Sequence, residues 1–471
     1  MRTIIKKIKT IFNNFYHQSF SIIFILFFLT LHILYINTPF VNYEWAYRFG
    51  TIAIANQEHN LLRLFFNHQA NPITYSLFSS LPFYIFGDQF ASFRILSLLG
   101  GTILLVLLLP KKNPFLIMIV GLNPLIWIYT GRAYSEMLSV GIMMLALAYS
   151  RNGILNGIFA TLASIVKYHS ILVCVCYWGF RWIKNFQNRN YSSFLDQNFI
   201  AGIFTICGLF TFFLIYNNEL GIWIIPEQYK KMFSLNFLQS INNFFNYGFY
   251  LGGMFFLTIP FHLRNTSWIL QILVAIICLN LSLFTKNFGE MDFGSFNQLL
   301  GTEIILLIQT VGFWNFVLCC KEFWGNKKLR IYLITVIIYL ALLSFTRPAQ
   351  RYLIFVVPFW ATMICLRLEI NRLVKVCYVL ILCGLNLFAT MFQVQNASAS
   401  SEIAEWSKNK NLKLNSGVIY PHVGVYSHHD QESKITVRLK PKTNEKILFS
   451  RVVKIFNFRL KEYFVVLPSK L

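Results

Sequence analysis

The stretch Asn71-Pro72-Ile73-Thr74-Tyr75-Ser76-Leu77-Phe78-Ser79-Ser80-Leu81-Pro82-Phe83-Tyr84-Ile85-Phe86-Gly87 decides the fold. It is about sixteen residues long and contains Pro72 and Pro82, which suits an interfacial or re-entrant piece better than a membrane span of roughly 20 residues. Counted as a span, it would put Lys111 and Lys112 outside and reverse the sign pattern of most later loops. We leave it outside, within one long first loop from Asn37 to about Arg94. Arg151, the stretch Arg181 to Lys184, Arg264, Lys321 to Arg330 and Arg367 to Lys375 then all fall on the cytoplasmic side, as the positive-inside rule requires.

The rest of the chain agrees with a multi-pass membrane protein. It has 471 residues, of which 56% are hydrophobic and 13% charged, with 49 Phe and a formal charge of +23. A soluble domain carries about 25% charged residues. A nucleic-acid partner is excluded, because the Lys and Arg are spaced between apolar runs and do not cluster on a polar surface. About thirteen spans are expected, near 20–36, 95–110, 114–129, 137–150, 154–166, 170–183, 199–216, 247–262, 267–284, 300–320, 330–346, 352–366 and 374–392. The amino end, with Arg2, Lys6, Lys7 and Lys9 ahead of an apolar run, lacks a small-residue cleavage site and reads as a retained, cytoplasmic-in first helix. All nine Cys lie in apolar runs without C-x-x-C spacing and read as small helix residues.

An odd number of spans places the carboxyl tail outside. The expected division is a transmembrane domain, 1–392, and a small α/β domain, 393–471. In the latter, Ser401–Asn409 reads as a helix and Gly417–Val423 and Tyr463–Pro468 as strands.

Charges that the positive-inside rule does not explain are the functional candidates. Glu44 stands in the first outer loop ahead of an amphipathic stretch, Gly50–Phe66. A carboxylate at the mouth of a membrane cavity can take a proton from an attacking hydroxyl. Arg132 and Glu136 are four apart in Tyr129-Thr130-Gly131-Arg132-Ala133-Tyr134-Ser135-Glu136, a spacing that allows either a helical pair or a shared polar substrate. Lys167 lies at a helix junction, and Arg347 and Arg351 precede the twelfth span, Arg351 next to Tyr352. Four cations in three loops on one side suggest an anionic ligand such as a lipid phosphate. Any one of them alone could be snorkelling to headgroups. His59 and His68, with Glu44, offer metal ligands at a spacing that fits no recognised site, so a divalent metal stays open.

Several of these segments resemble, in order, the membrane glycosyltransferases of the C superfamily that use polyprenyl-phosphate sugars. That group includes the protein O-mannosyltransferases and the aminoarabinose transferase of lipid A. His68-Gln69-Ala70-Asn71-Pro72-Ile73-Thr74-Tyr75, Phe86-Gly87-Asp88 and Arg94-Ile95-Leu96-Ser97 resemble one family succession. Gly131 to Glu136 is similar to its second-loop motif, Ser164-Ile165-Val166-Lys167-Tyr168 to its lysine turn, and Arg351-Tyr352-Leu353 to its late arginine motif before a proline-bearing helix, here with Pro358. The chain departs from it in having Tyr43-Glu44 where many members have Asp-Glu, and Asn71-Pro72 where they have a proline pair.

The resemblance implies an all-α polytopic bundle with interfacial helices in its first outer loop. It implies inverting transfer of a sugar from a polyprenyl-phosphate donor to a hydroxyl or amine of a glycan, lipid or protein acceptor. Glu44 would be the general base; Arg132, Lys167, Arg347 and Arg351 would face the donor phosphate; and Glu136, His68 and Tyr352 would contact substrate. A transporter or flippase of an anionic lipid wants the same cations, although no two-fold repeat is evident. A non-enzymatic membrane protein with an outer sensor domain is the third reading.

Overall fold

A chain whose apolar runs enter a bilayer must pair its backbone N–H and C=O groups within each segment, which leaves helix as the local structure. The computed structural model describes residues 2–40, 44–58, 60, 72–187, 196–221, 223–224, 236–284, 294–346, 349–415, 433–455 and 458–468. In these, the helices are α1 (Arg2–Leu34), α2 (Glu44–Ala55), α3 (Thr74–Phe86), α4 (Phe90–Leu108), α5 (Pro114–Gly121), α6 (Pro124–Thr130), α7 (Ser135–Ala148), α8 (Gly153–Val166) and α9 (His169–Gln187). They continue with α10 (Gln197–Leu220), α11 (Phe237–Met254), α12 (Ile259–Asn265), α13 (Trp268–Phe284), α14 (Gly294–Trp324), α15 (Arg330–Ser344), α16 (Val357–Arg367) and α17 (Arg372–Asn409). Three strands follow: β1 (Thr436–Arg438), β2 (Glu445–Ile455) and β3 (Phe458–Pro468).

Among the described residues, four helical stretches are long and apolar enough to cross a membrane: Phe90–Lys111, Gln197–Leu220, Glu303–Trp324 and Arg372–Asn409. Six shorter apolar helices accompany them, and many large apolar side chains of these segments, such as Ile206, Leu307 and Leu380, face outward. The expected list of about thirteen unbroken spans needs amending at three places. The run 114–129 is two helices, because Pro124 has no N–H to continue the ladder and Asn123 caps the second helix by accepting from the Leu125 N–H at 3.1 Å. The run 247–262 breaks into α11, a 3₁₀ turn at Phe256–Thr258 and α12, which carries Pro260. The run 352–366 begins as a 3₁₀ turn, Gln350–Phe355, before α16.

The stretch on which the topology turned forms α3, whose 13 residues span about 20 Å. Its polarity is inverted relative to a soluble helix: Thr74, Tyr75, Ser76 and Ser79 are buried, while Leu77, Leu81, Tyr84, Ile85 and Phe86 are exposed. That is the pattern of a short helix facing lipid with its polar side on protein. Its end is fixed by Gly87, which takes φ +75°, and by Asp88, which pairs with Arg48 of α2. Of the amphipathic stretch expected over Gly50–Phe66, α2 covers the beginning, from a start at Glu44 to Ala55, and residues 59 and 61–66 lie outside the described residues.

Two sets of contacts hold α3, α4 and α7 in register. The backbones of α4 and α7 cross at glycines: a Cβ on Gly100 would strike the Met137 carbonyl, and one on Gly141 would strike the backbone of Gly100. Small residues at such a crossing allow the close packing by which membrane helices associate. Tyr75 of α3 donates to the Phe93 carbonyl at 2.9 Å and meets Ser97 at 2.8 Å, and Ser97 in turn bonds both the carbonyl and the N–H of Tyr134. The turn before α7 is thereby tied to α3 and α4.

At the carboxyl end, α17 runs for 38 residues without a break, so the helix expected at Ser401–Asn409 is the end of a longer one. It packs against an antiparallel sheet of order β1-β3-β2, with Ala399, Ile403, Val437, Val453, Tyr463 and Val465 buried between them. Tyr463 donates to the Asn396 side chain at 2.5 Å, and burial pushes its hydroxyl above the ordinary tyrosine range. Strand β3 covers the expected Tyr463–Pro468 and starts five residues earlier. Strand β2 was not foreseen, and the expected strand Gly417–Val423 lies outside the described residues.

Candidate functional site

Two buried carboxylates organise the region where α2, α4, α7, α9 and the Gln350–Phe355 turn meet. The first is Glu44, in the opening turn of α2 and fully buried. Arg94 of α4 grips both its oxygens, Nε to Oε1 at 2.8 Å and Nη2 to Oε2 at 3.0 Å, and the Ala133 N–H donates to Oε1 at 2.7 Å. The remaining donors of Arg94 go to the carbonyls of Ile36, Thr38 and Pro39 and to the Thr38 hydroxyl. The Glu44–Arg94 pair thus stitches together the segment after the first helix, the start of α2 and the turn before α7. Glu44 was expected at the mouth of a cavity; it lies instead inside a bidentate ion pair.

The second carboxylate is Glu136, in the first turn of α7, where the helix N-terminus favours negative charge. Two cations approach the same oxygen, Lys167 Nζ at 3.1 Å and Arg351 Nε at 3.3 Å. Oε1 nevertheless has no partner in hydrogen-bond geometry. Lys167 leaves the line of α8 because its backbone is extended, with φ −154° and ψ 117°, and Arg351 comes from the 3₁₀ turn. Aromatic rings wall the cluster. Lys167 and Arg351 lie 5.5 and 5.3 Å from the centre of the Tyr352 ring, Arg351 also faces Tyr134 at 5.9 Å, and His169 stacks on Tyr352 at 3.9 Å. Tyr339 fixes Tyr352 by donating to its carbonyl at 2.7 Å. On the far side, Tyr47 of α2 meets the Ser135 hydroxyl at 2.8 Å.

Of the residues proposed from sequence, Glu136, Lys167, Arg351 and Tyr352 therefore come together from three separate segments. Arg132 does not join them. It precedes α7, and Tyr134 between them is extended, so the i,i+4 spacing to Glu136 is not a helical one. Its Nε donates to Gln393 of α17 at 3.3 Å, and it lines a separate cleft. Arg347, His59 and His68 lie outside the described residues. Among the described residues no group of three His, Cys, Asp or Glu is placed to hold a metal ion. Sequence reasoning missed Arg94 as the partner of Glu44, and with it Tyr47, Ser135 and His169. The one available signal for Arg94 was that a buried acid in an apolar setting demands a cation.

Fold and site together define a helical membrane protein with a buried cluster of cations around one acid. No family model matches the chain, and no curated protein does. Among solved structures, it is similar to the crystal structure of ArnT from Cupriavidus metallidurans bound to undecaprenyl phosphate, with 12% identity and a TM-score of 0.42 over 95% of this chain and 98% of that one. The apo form of that protein gives 12% identity and a TM-score of 0.39 over 96% and 98% of the respective chains. Likenesses of that size leave the reaction to be argued from the residues of the chain itself.

Proposed function

We propose that this protein transfers a sugar from a polyprenyl-phosphate donor to a hydroxyl or amine acceptor, with inversion, on the outer face of a membrane. The observation that carries the reading is the convergence of Lys167 and Arg351 on a single oxygen of Glu136, held by charge but not by hydrogen-bond geometry. Two cations that share one carboxylate oxygen can exchange it for another anion. A donor phosphate offers them more oxygens, and Arg in particular matches phosphate with two parallel N–H donors.

In this reading, Glu136 keeps the cations in place until the donor arrives, and the phosphate then takes them over. The acceptor oxygen or nitrogen attacks the anomeric carbon as the bond from that carbon to the phosphate oxygen breaks. The bonding pair leaves with the phosphate, where Lys167 and Arg351 stabilise the charge. The acceptor's proton passes to the Glu136 carboxylate, released from its cations. Glu44 keeps Arg94 and the Ala133 amide in place, and so sets the position of the turn leading to Glu136. Arg347, three residues ahead of the Gln350–Phe355 turn in the sequence, would add a further cation. The donor is already activated, so no nucleotide enters.

Purified protein is incubated with radiolabelled polyprenyl-phosphate sugar, with and without membrane extract as acceptor. Release of free polyprenyl phosphate that depends on the acceptor is the expected result. Movement of the donor between leaflets with the sugar bond intact would replace transfer by transport.

A further inference from the structure

Arg132 is a buried cation, 8% exposed, and among the described residues its one hydrogen bond is to a neutral amide, Gln393. It has no acidic partner among the described residues. A buried charge left without a counter-ion is costly, and in membrane proteins such groups mark ligand paths. Arg132 lines an open cleft of about 50 Å³ between α1, α4, α6 and α17. The other guanidinium on that cleft, Arg94, is neutralised by Glu44, and its nitrogens are occupied by the bonds described above.

The rest of the lining suits an anion that carries an apolar body. Thr38, Thr390 and Gln393 supply polar groups, and Leu31, Ile128 and Val394 supply apolar wall. His32, also on the cleft, is 6% exposed and directs Nδ1 at the Phe28 carbonyl (2.8 Å) and Nε2 at the Trp127 carbonyl (2.9 Å). The cleft shares no lining residue with the Glu136 cluster.

We propose that this cleft is a second anion site, distinct from the Glu136 cluster, and that it takes a phosphate-class oxyanion on the free fork of Arg132. The site itself follows from the charge and the cleft. Its meaning rests on the proposed transfer: while Lys167 and Arg351 hold the donor phosphate, Arg132 holds the negative group of the acceptor, so the acceptor class is an anionic amphiphile.

The test is binding to the purified full-length chain in neutral detergent, read by calorimetric titration and by melting temperature. The probes are dihexanoyl phosphatidic acid, inorganic phosphate and, as a neutral control, dihexanoyl phosphatidylcholine. Phosphatidic acid should bind, the choline lipid should not, and Arg132→Gln should weaken binding about 10-fold or more, the scale of one bidentate charged contact. Gln393→Glu places a carboxylate against Arg132 and should abolish binding while raising the melting temperature, which decides the matter if Arg132→Gln fails to fold. Arg351→Gln should leave the Arg132-dependent binding in place.

Wild-type affinity in both Arg132→Gln and Gln393→Glu, equal binding of the choline lipid, or loss on Arg351→Gln alone would each overturn the second site. Binding of inorganic phosphate as tight as that of phosphatidic acid would assign the site to a free anion and remove the acceptor reading. None of these measurements needs turnover, so a failed transfer assay and a failed anion site remain separate results.

Discussion

Glu44 and Glu136 are both buried acids at the start of a helix, and each meets a cation at about 3 Å, yet they are built for different work. Glu44 has each oxygen hydrogen-bonded by one guanidinium that is itself saturated by carbonyls. Glu136 gives one oxygen to two cations at 3.1 and 3.3 Å, neither in hydrogen-bond geometry, and Ser135 approaches the other only at 3.5 Å. A matched, fully bonded pair fastens segments together. Two cations crowded on one oxygen are ready to move to a better anion. What distinguishes a site from a fastener here is the quality of the bonding, since burial is the same for both.

The largest effect is expected at the fastener. Glu44→Gln leaves Arg94 buried without its counter-charge, at a cost of about 3–5 kcal/mol, to be read as a lowered melting temperature or loss of folded protein in detergent. A Glu44→Gln protein that melts like wild type but no longer transfers sugar would break the comparison and return the proton-accepting role to Glu44. Next, Arg351→Gln should slow transfer by about 10²–10³-fold, the scale seen when a stabiliser of developing negative charge is removed, while its melting temperature stays far closer to wild type than that of Glu44→Gln. Kinetics and melting on the same preparation check both halves.

Glu136→Gln sharpens the contrast further. Without the competing carboxylate, donor binding should tighten by about 10-fold, or ~1.4 kcal/mol, whereas transfer falls; weaker donor binding would show that Glu136 does not compete with the phosphate. The smallest effect is expected away from both clusters. Tyr463→Phe loses one hydrogen bond to Asn396 and should lower stability by about 1 kcal/mol, with transfer unaltered.

Much of this was legible in one dimension. Apolar runs of spanning length announced a membrane bundle, and the two prolines and short length of the Asn71–Gly87 stretch suited the short helix found there. Misplaced charges in separate loops pointed to Glu136, Lys167 and Arg351. The partner of Glu44 was not legible, because Arg94 is 50 residues away and the pair exists only once α2 lies on α4. Seen alone, an acid in a loop looks available. Arg132 and Glu136 misled in the opposite way, since i,i+4 spacing implies pairing only inside a helix, and α7 starts at Ser135. The break at Asn123-Pro124 could have been read from its cap-and-proline signature. Strand β2 was obscured by its charges, Lys446, Arg451 and Lys454 interrupting the apolar alternation.

The length of α17 has a mechanical consequence. Its 38 residues measure about 57 Å, nearly twice the roughly 30 Å of a bilayer core, and from Leu385 to Asn409 it contains neither glycine nor proline. The sheet grips the same rod at Ala399 and Ile403, about two to three turns beyond Gln393. The carboxyl-terminal module therefore has no hinge of its own. Whatever pushes on it from the water acts as a hand on a lever whose short arm ends beside Arg132.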